Sequence, residues 1–174
     1  GGKVDSVIMR FIDILMAYPS ILLAIIVVSV IGPGMTNAII AVAIVNIPSF
    51  TRLVRANVLE VKKRQFVMAA KTFGASPIRI MLKEILPNCM ATLIVQTTLG
   101  LSEGILSTAA LGFLGLGVQP PTPEWGIMLS DARPYIESSP WLVTLPGLCI
   151  LAVVLGLNLF GDGLRDALDP KLKR

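Results

Sequence analysis

The chain has 174 residues, 54 % of them apolar and 15 % charged, with a net charge of +4 and no histidine. Soluble chains carry about 25 % charged residues, so this composition belongs to the membrane class. The absence of histidine also removes Ser-His-Asp and Cys-His catalysis, HExxH zinc sites and histidine haem ligation.

The chain begins at Gly1, and the charges in "GGKVDSVIMR" do not suit the apolar core of a signal peptide, so it reads as part of a longer protein. A helix needs about 20 mostly apolar residues to cross a bilayer. Residues 11–31 supply a first span, with Asp13 near one end, in reach of Arg10, and a kink at Pro19. "GPG" at Gly32 to Gly34 makes a tight turn, and residues 35–50 supply a second, shorter span. Residues 90–117 give a long, glycine-rich third span interrupted by Glu103, and residues 141–160 give a fourth. Cys89 and Cys149 lie far apart in apolar surroundings and read as buried thiols.

Short cytoplasmic loops collect Lys and Arg. Lys3 and Arg10 precede the first span, Arg52, Arg55, Lys62, Lys63, Arg64, Lys71, Arg79 and Lys83 lie between the second and third, and Arg165, Lys171, Lys173 and Arg174 follow the fourth. Only Arg133 falls elsewhere, so 14 of the 15 basic residues share one side of a four-crossing arrangement. The expectation is an all-α membrane protein. Both ends, the loop at 52–88 and the tail at 161–174 are cytoplasmic. The loop at 118–140 is outside, with Trp125, Tyr135 and Trp141 near the outer interface.

Within the basic loop, "AAKTFGASPIRIMLKEILPN" (69–88) reads as two helices joined at a glycine. Ala70 and Gly74 are four apart and share a small-residue face. Gly74 suits a left-handed helix end, Ser76 an N-cap and Pro77 a first helical position. Ile78, Met81, Leu82 and Ile85 form an apolar stripe opposite Arg79 and Lys83, and Pro87 ends or kinks the helix before the third span. A DNA-reading helix-turn-helix has this outline. However, membrane spans flank the motif, no third helix completes a small core, and the second helix runs straight into a span. A merely basic loop leaves the small residues, the turn glycine and the proline unexplained.

The same stretch resembles the EAA loop of ABC-importer permeases: Ala69, Ala70, Gly74, Ile85, Leu86 and Pro87 match, and Met68 stands where the family has Glu. "LGFLGLGVQPPTPEWGIMLSDAR" (111–133) and "NLFGDGLRDALDPK" (158–171) are similar to the outer loop and C-terminal tail of the dipeptide/oligopeptide/nickel permeases, and "GGKVDSVIMRFIDILMAYPSILLAI" to their segment entering a middle span. The resemblance covers the whole chain. It is closest to the second permease of the pair, without the first two of six spans.

That resemblance implies a type I transmembrane domain in the inner (plasma) membrane, partnered by a second permease, two ATPase subunits and an external substrate-binding protein, with no nucleic acid. ATP and Mg²⁺ would belong to the ATPases, and this chain holds no phosphate loop, metal or cofactor of its own. The implied role is a pathway for di- or oligopeptides, the alternative within the family being nickel. The coupling residues would be Ala69, Ala70, Gly74, Ser76, Pro77, Arg79, Ile85, Leu86 and Pro87. Glu103, an ionisable group inside a span, reads either as a pathway residue or as a structural carboxylate bonded to Ser102, Ser107 or a neighbouring helix. A secondary transporter built on Glu103 would have no use for an ATPase-docking loop. Glu124, Asp131 and Glu137 read as solvated loop charges. Asp162, Asp166 and Asp169 lack the spacing of an EF-hand.

Overall fold

A computed structural model describes residues 2–168, and among them every regular element is helical. In chain order these are α1 (Gly2–Met16), α2 (Ser20–Ile31), α3 (Met35–Val61), α4 (Gln65–Thr72) and α5 (Pro77–Arg79). A π-helical stretch, Ile80–Ile85, then runs into α6 (Leu86–Phe113), followed by α7 (Trp125–Ala132), a 3-10 turn (Arg133–Tyr135) and α8 (Trp141–Leu168). Asp169, Lys171, Lys173 and Arg174 lie outside the described residues.

α3 and α8 are long and apolar enough to cross a membrane, and the α1–α2 pair makes a third crossing if counted as one span. α6, at 28 residues, matches α8 in length but carries Gln96, Glu103 and interspersed serines and threonines. The kink expected at Pro19 in the first span is a full break at 17–19, where α1 and α2 meet at 93°. Pro19 cannot donate a hydrogen bond and disfavours helical geometry in the residue before it. The 12 residues of α2 reach only about 18 Å at 1.5 Å per residue, so α2 alone falls short of a hydrocarbon core of about 30 Å. The second span is longer than its apolar run. α3 continues through Arg52 and Arg55 to Val61, so the first ten residues assigned to the basic loop are helical.

Two clusters hold the chain together. Ala24 and Val28 of α2, Ala38, Ala41 and Val42 of α3 and Leu111 of α6 form the larger core. The α2–α3 turn above it closes on Asn37, whose Nδ2 donates to the Ile31 and Gly32 carbonyls at 3.1 and 3.0 Å. That satisfies oxygens the end of α2 leaves free. The second cluster is Val61, Val67, Ile85 and Cys89, at the far end of α3. α8 lies along α6, and the two come close at Gly161, where a Cβ would stand 2.9 Å from Thr98 Oγ1. Cys89 is buried as expected, whereas Cys149 is exposed on α8.

α1 folds back against the C-terminal part of α3. Asp13 pairs with Arg52 at 2.7 Å, not with Arg10 on its own helix. Asp5 accepts two bonds from Arg55, at 2.8 and 2.9 Å. The hydrogen bond from Arg55 holds the Asp5 carboxyl below the usual carboxylate range.

Candidate functional site

The basic loop forms a projection of two helical legs. Val67 of α4 and Ile85 pack on Val61 and Cys89, fastening both legs of the projection to the end of α3. Each such buried aliphatic side chain contributes about 1.5–3 kcal/mol.

The tip between the legs is built from local hydrogen bonds. Gly74 adopts φ +76°, Ala75 N–H donates to Ala70 O and Gly74 N–H to Lys71 O, both at 3.1 Å. These are the paired 6→1 and 5→2 bonds of a Schellman stop. Gly74 therefore lies beyond α4, so it does not share a helical face with Ala70. Ser76 Oγ accepts from Arg79 N–H at 3.4 Å, and Pro77 occupies the first turn of α5.

The proline at the base does not end the helix. Pro87 sits in the first turn of α6, and the chain is helical without interruption from Pro77 to Phe113. Proline lacks an N–H and its ring presses on the carbonyl four residues back. The backbone meets this by widening: Leu86 N–H reaches back five residues to Met81 O, and Asn88 Nδ2 donates to Glu84 O at 2.7 Å. Such π turns recur inside helices at functional positions.

Ala69, Ser76, Pro77, Arg79, Leu86 and Pro87 are exposed, Ala70 is half-buried, and Ile85 is buried. The stripe Ile78, Met81, Leu82, Ile85 divides accordingly: only Ile85 faces the protein, and the other three are exposed. Phe73 at the tip is 89 % exposed, and Met68 is exposed beside it. Sequence reading missed Phe73, although a bulky aromatic directly before a helix-ending glycine was a visible sign. Lys71, Arg79 and Lys83 are exposed as well, so the projection carries both bare apolar side chains and basic charge.

Glu103 is exposed on α6 and makes no hydrogen bond or ion pair among the described residues, with Ser102, Ser107 or any other group. Ser102 is buried with its Oγ unpartnered. A cleft of about 420 Å³ between α3, α6 and α7 is lined by Asn46, Gly100, Gly104, Thr108, Glu124 and Trp125, not by Glu103.

Glu124 is not a solvated loop charge. Its carboxylate caps α7, accepting from Gly126 and Ile127 N–H at 2.9 and 3.0 Å. It packs so closely on Gly112 that a Cβ there would overlap it, and a Cβ on Gly126 would overlap the Ala109 carbonyl. The α6–α7 turn is further fastened by Arg133, whose guanidinium lies 5.4 Å from the centre of the Phe113 ring. No group of three or more metal-binding side chains occurs among the described residues.

A family model described as a binding-protein-dependent transport system inner membrane component matches residues 1–174. The chain is 59 % identical over 172 residues to the di/tripeptide transport system permease protein DppC of Pseudomonas aeruginosa, covering 99 % of this chain and 57 % of that one. It is 55 % identical over 174 residues to the dipeptide transport system permease protein DppC of Haemophilus influenzae, covering 100 % and 59 %. It is 52 % identical over 172 residues to the glutathione transport system permease protein GsiD of Shigella flexneri, covering 99 % and 57 %. The chain thus spans somewhat more than half the length of these relatives.

Proposed function

The chain belongs to the family of binding-protein-dependent transport system inner membrane components, and on that premise we propose that it is the part of an ATP-driven importer's permease that lines a route for di- or oligopeptides and receives the stroke of the ATPase. A second permease subunit would complete the route. Two ATPase subunits would bind ATP and Mg²⁺, and an external binding protein would deliver the peptide. In this reading the chain crosses the membrane four times, through residues 11–31 and through α3, α6 and α8, and both its ends face the cytoplasm.

One observation carries the proposal: the projection of residues 65–85 is fixed at its base and bare at its tip. A hydrophobic tip supported by a small core is the form a docking element takes, because contact energy concentrates in a few anchored apolar side chains. Phe73 is the anchor, seated in an apolar groove of an ATPase subunit. Lys71, Arg79 and Lys83 face acidic residues at the groove's rim. The ordered tip and the uninterrupted helix from Pro77 into α6 carry a displacement of that groove to the membrane.

Glu103 faces the route. A charged group turned to hydrocarbon costs about 2.5–3.5 kcal/mol at mid-membrane, so an exposed carboxylate on α6 turns to water or to the second permease. There it would meet the amino group of a peptide.

The test uses the full transporter in vesicles. Phe73→Ala and Gly74→Glu should leave assembly of the permease pair intact, while peptide uptake and uptake-coupled ATP hydrolysis fall at least tenfold. Losing an interface anchor costs about 2 kcal/mol or more. Unchanged uptake and hydrolysis in both variants would remove the docking role. Glu103→Gln should slow uptake without altering basal hydrolysis, and full uptake would assign the carboxylate elsewhere.

A further inference from the structure

We propose that α1 is an interfacial membrane helix: it lies along the headgroup layer beside the Arg52 end of α3, its apolar row in the acyl boundary and Lys3 and Arg10 on anionic headgroups. α1 and α2 meet at 93°. A helix at right angles to a membrane-entering segment runs along the membrane surface. α1 is held in that attitude by two pins at different heights, Asp5 on Arg55 and Asp13 on Arg52. Both pins reach α3, which is itself long and apolar enough to cross the membrane.

The pinned side of α1 also buries Ile12. On the side turned away, Val4, Val7, Phe11 and Ile14 are exposed, Val7 by 69 % and Phe11 by 62 %. At about 100° per residue these four fall within an arc of about 80°. Lys3 and Arg10 border that arc, where long basic side chains lay their stems on the apolar layer and reach lipid phosphates. The carboxylates of α1 are both engaged by arginines of α3. The helix therefore presents Lys3 and Arg10 as its outward charges, complementary to an anionic leaflet.

The experiment takes the full-length protein, its native cysteines replaced, in vesicles of phosphatidylcholine with phosphatidylglycerol. An environment-sensitive fluorophore is placed singly at Val7→Cys, Phe11→Cys and, as control, Ser6→Cys. Val4→Cys serves if either apolar position lowers expression. Labels on the apolar row should lose roughly half of their emission to lipids brominated near the headgroup end of the acyl chain and be shielded from iodide, whereas the label at Ser6 shows the reverse. Apolar-row labels that brominated lipid leaves untouched overturn the proposal, whether iodide reaches them, as on a solvated helix, or not, as under another protein subunit. Replacing Lys3 and Arg10 together by Gln should reduce the quenching in these vesicles to the level in pure phosphatidylcholine. Equal quenching in both lipids, with and without the two cations, overturns the headgroup contact.

Discussion

α4 and α6 stop by the same device and lead into opposite surroundings. Each ends in a bulky residue followed by glycine, Phe73-Gly74 and Leu114-Gly115, and both glycines adopt φ +76°. Leu116 N–H reaches Leu111 O and Gly115 N–H reaches Gly112 O, both at 2.9 Å, as Ala75 and Gly74 do on α4. Nothing lies within 4 Å of the place a Cβ would take on either Gly74 or Gly115, so the difference lies beyond the two glycines. Beyond α6 the chain folds back on itself, and a Cβ on Gly117 would stand 2.8 Å from Gly112 Cα. The residue after the stop makes the difference. Leu116 packs on the core that contains Leu111, whereas Ala75 brings little apolar surface to Ala70. One end of the molecule buries its apolar groups within the chain, and the other leaves them exposed.

Substitutions at the glycines break or sharpen that contrast. Gly126→Ala should have the largest effect, about 3 kcal/mol of destabilisation, because the new methyl overlaps the Ala109 carbonyl in a turn with no slack. Thermal unfolding of the purified protein measures it, and an unchanged Tm would make the α6–α7 turn as loose as the tip at Gly74. Glu124→Ala should cost about 1–2 kcal/mol by uncapping α7. It should also lessen the cost of Gly112→Ala, whose methyl meets that carboxylate; a double-mutant cycle would read the coupling, and strict additivity would contradict the packing. Gly74→Ala should cost about 1 kcal/mol, all of it from the left-handed backbone, and Gly74→Asn less. If Gly74→Asn is as damaging as Gly74→Val, the site is limited by space and the contrast fails.

The smallest effect concerns the pin at Asp5. Its folded pKa is depressed, so its contribution is present above the unfolded value near 3.8 and is lost as pH falls through the folded one. A spin label on α1 should become more mobile over that acid range, and Asp5→Asn should remove the pH response. A response that survives the substitution would assign it to another group.

Sequence patterns revealed the features governed by neighbouring residues. Gly74, Ser76 and Pro77 act through bonds to residues three to five away, so their roles could be read from their order. Asp13 could not be paired correctly because Arg52 is 39 residues distant and arrives only when α1 folds back. Pro19 announced a break but not its angle. Glu124 was misread because its two partners are backbone N–H groups of a helix whose start the surrounding prolines obscured. The stripe from Ile78 to Ile85 was found, but periodicity alone does not say whether an apolar face is covered. Only Ile85 has its cover within this chain.

The π turn at Ile80–Ile85 sets an angular phase. Each extra residue in a turn advances the helix by about 100° relative to the rows it would otherwise continue. The side that Phe73 shows to a partner and the side that α6 shows to α3 and α8 are thus clocked against each other by this one widened turn. Deleting a single residue here would restore ordinary helical spacing with the tip's aim nearly kept, because the wide turn already takes up the extra residue; deleting one from the regular part of α6 would instead swing the tip about a quarter of the way round the axis.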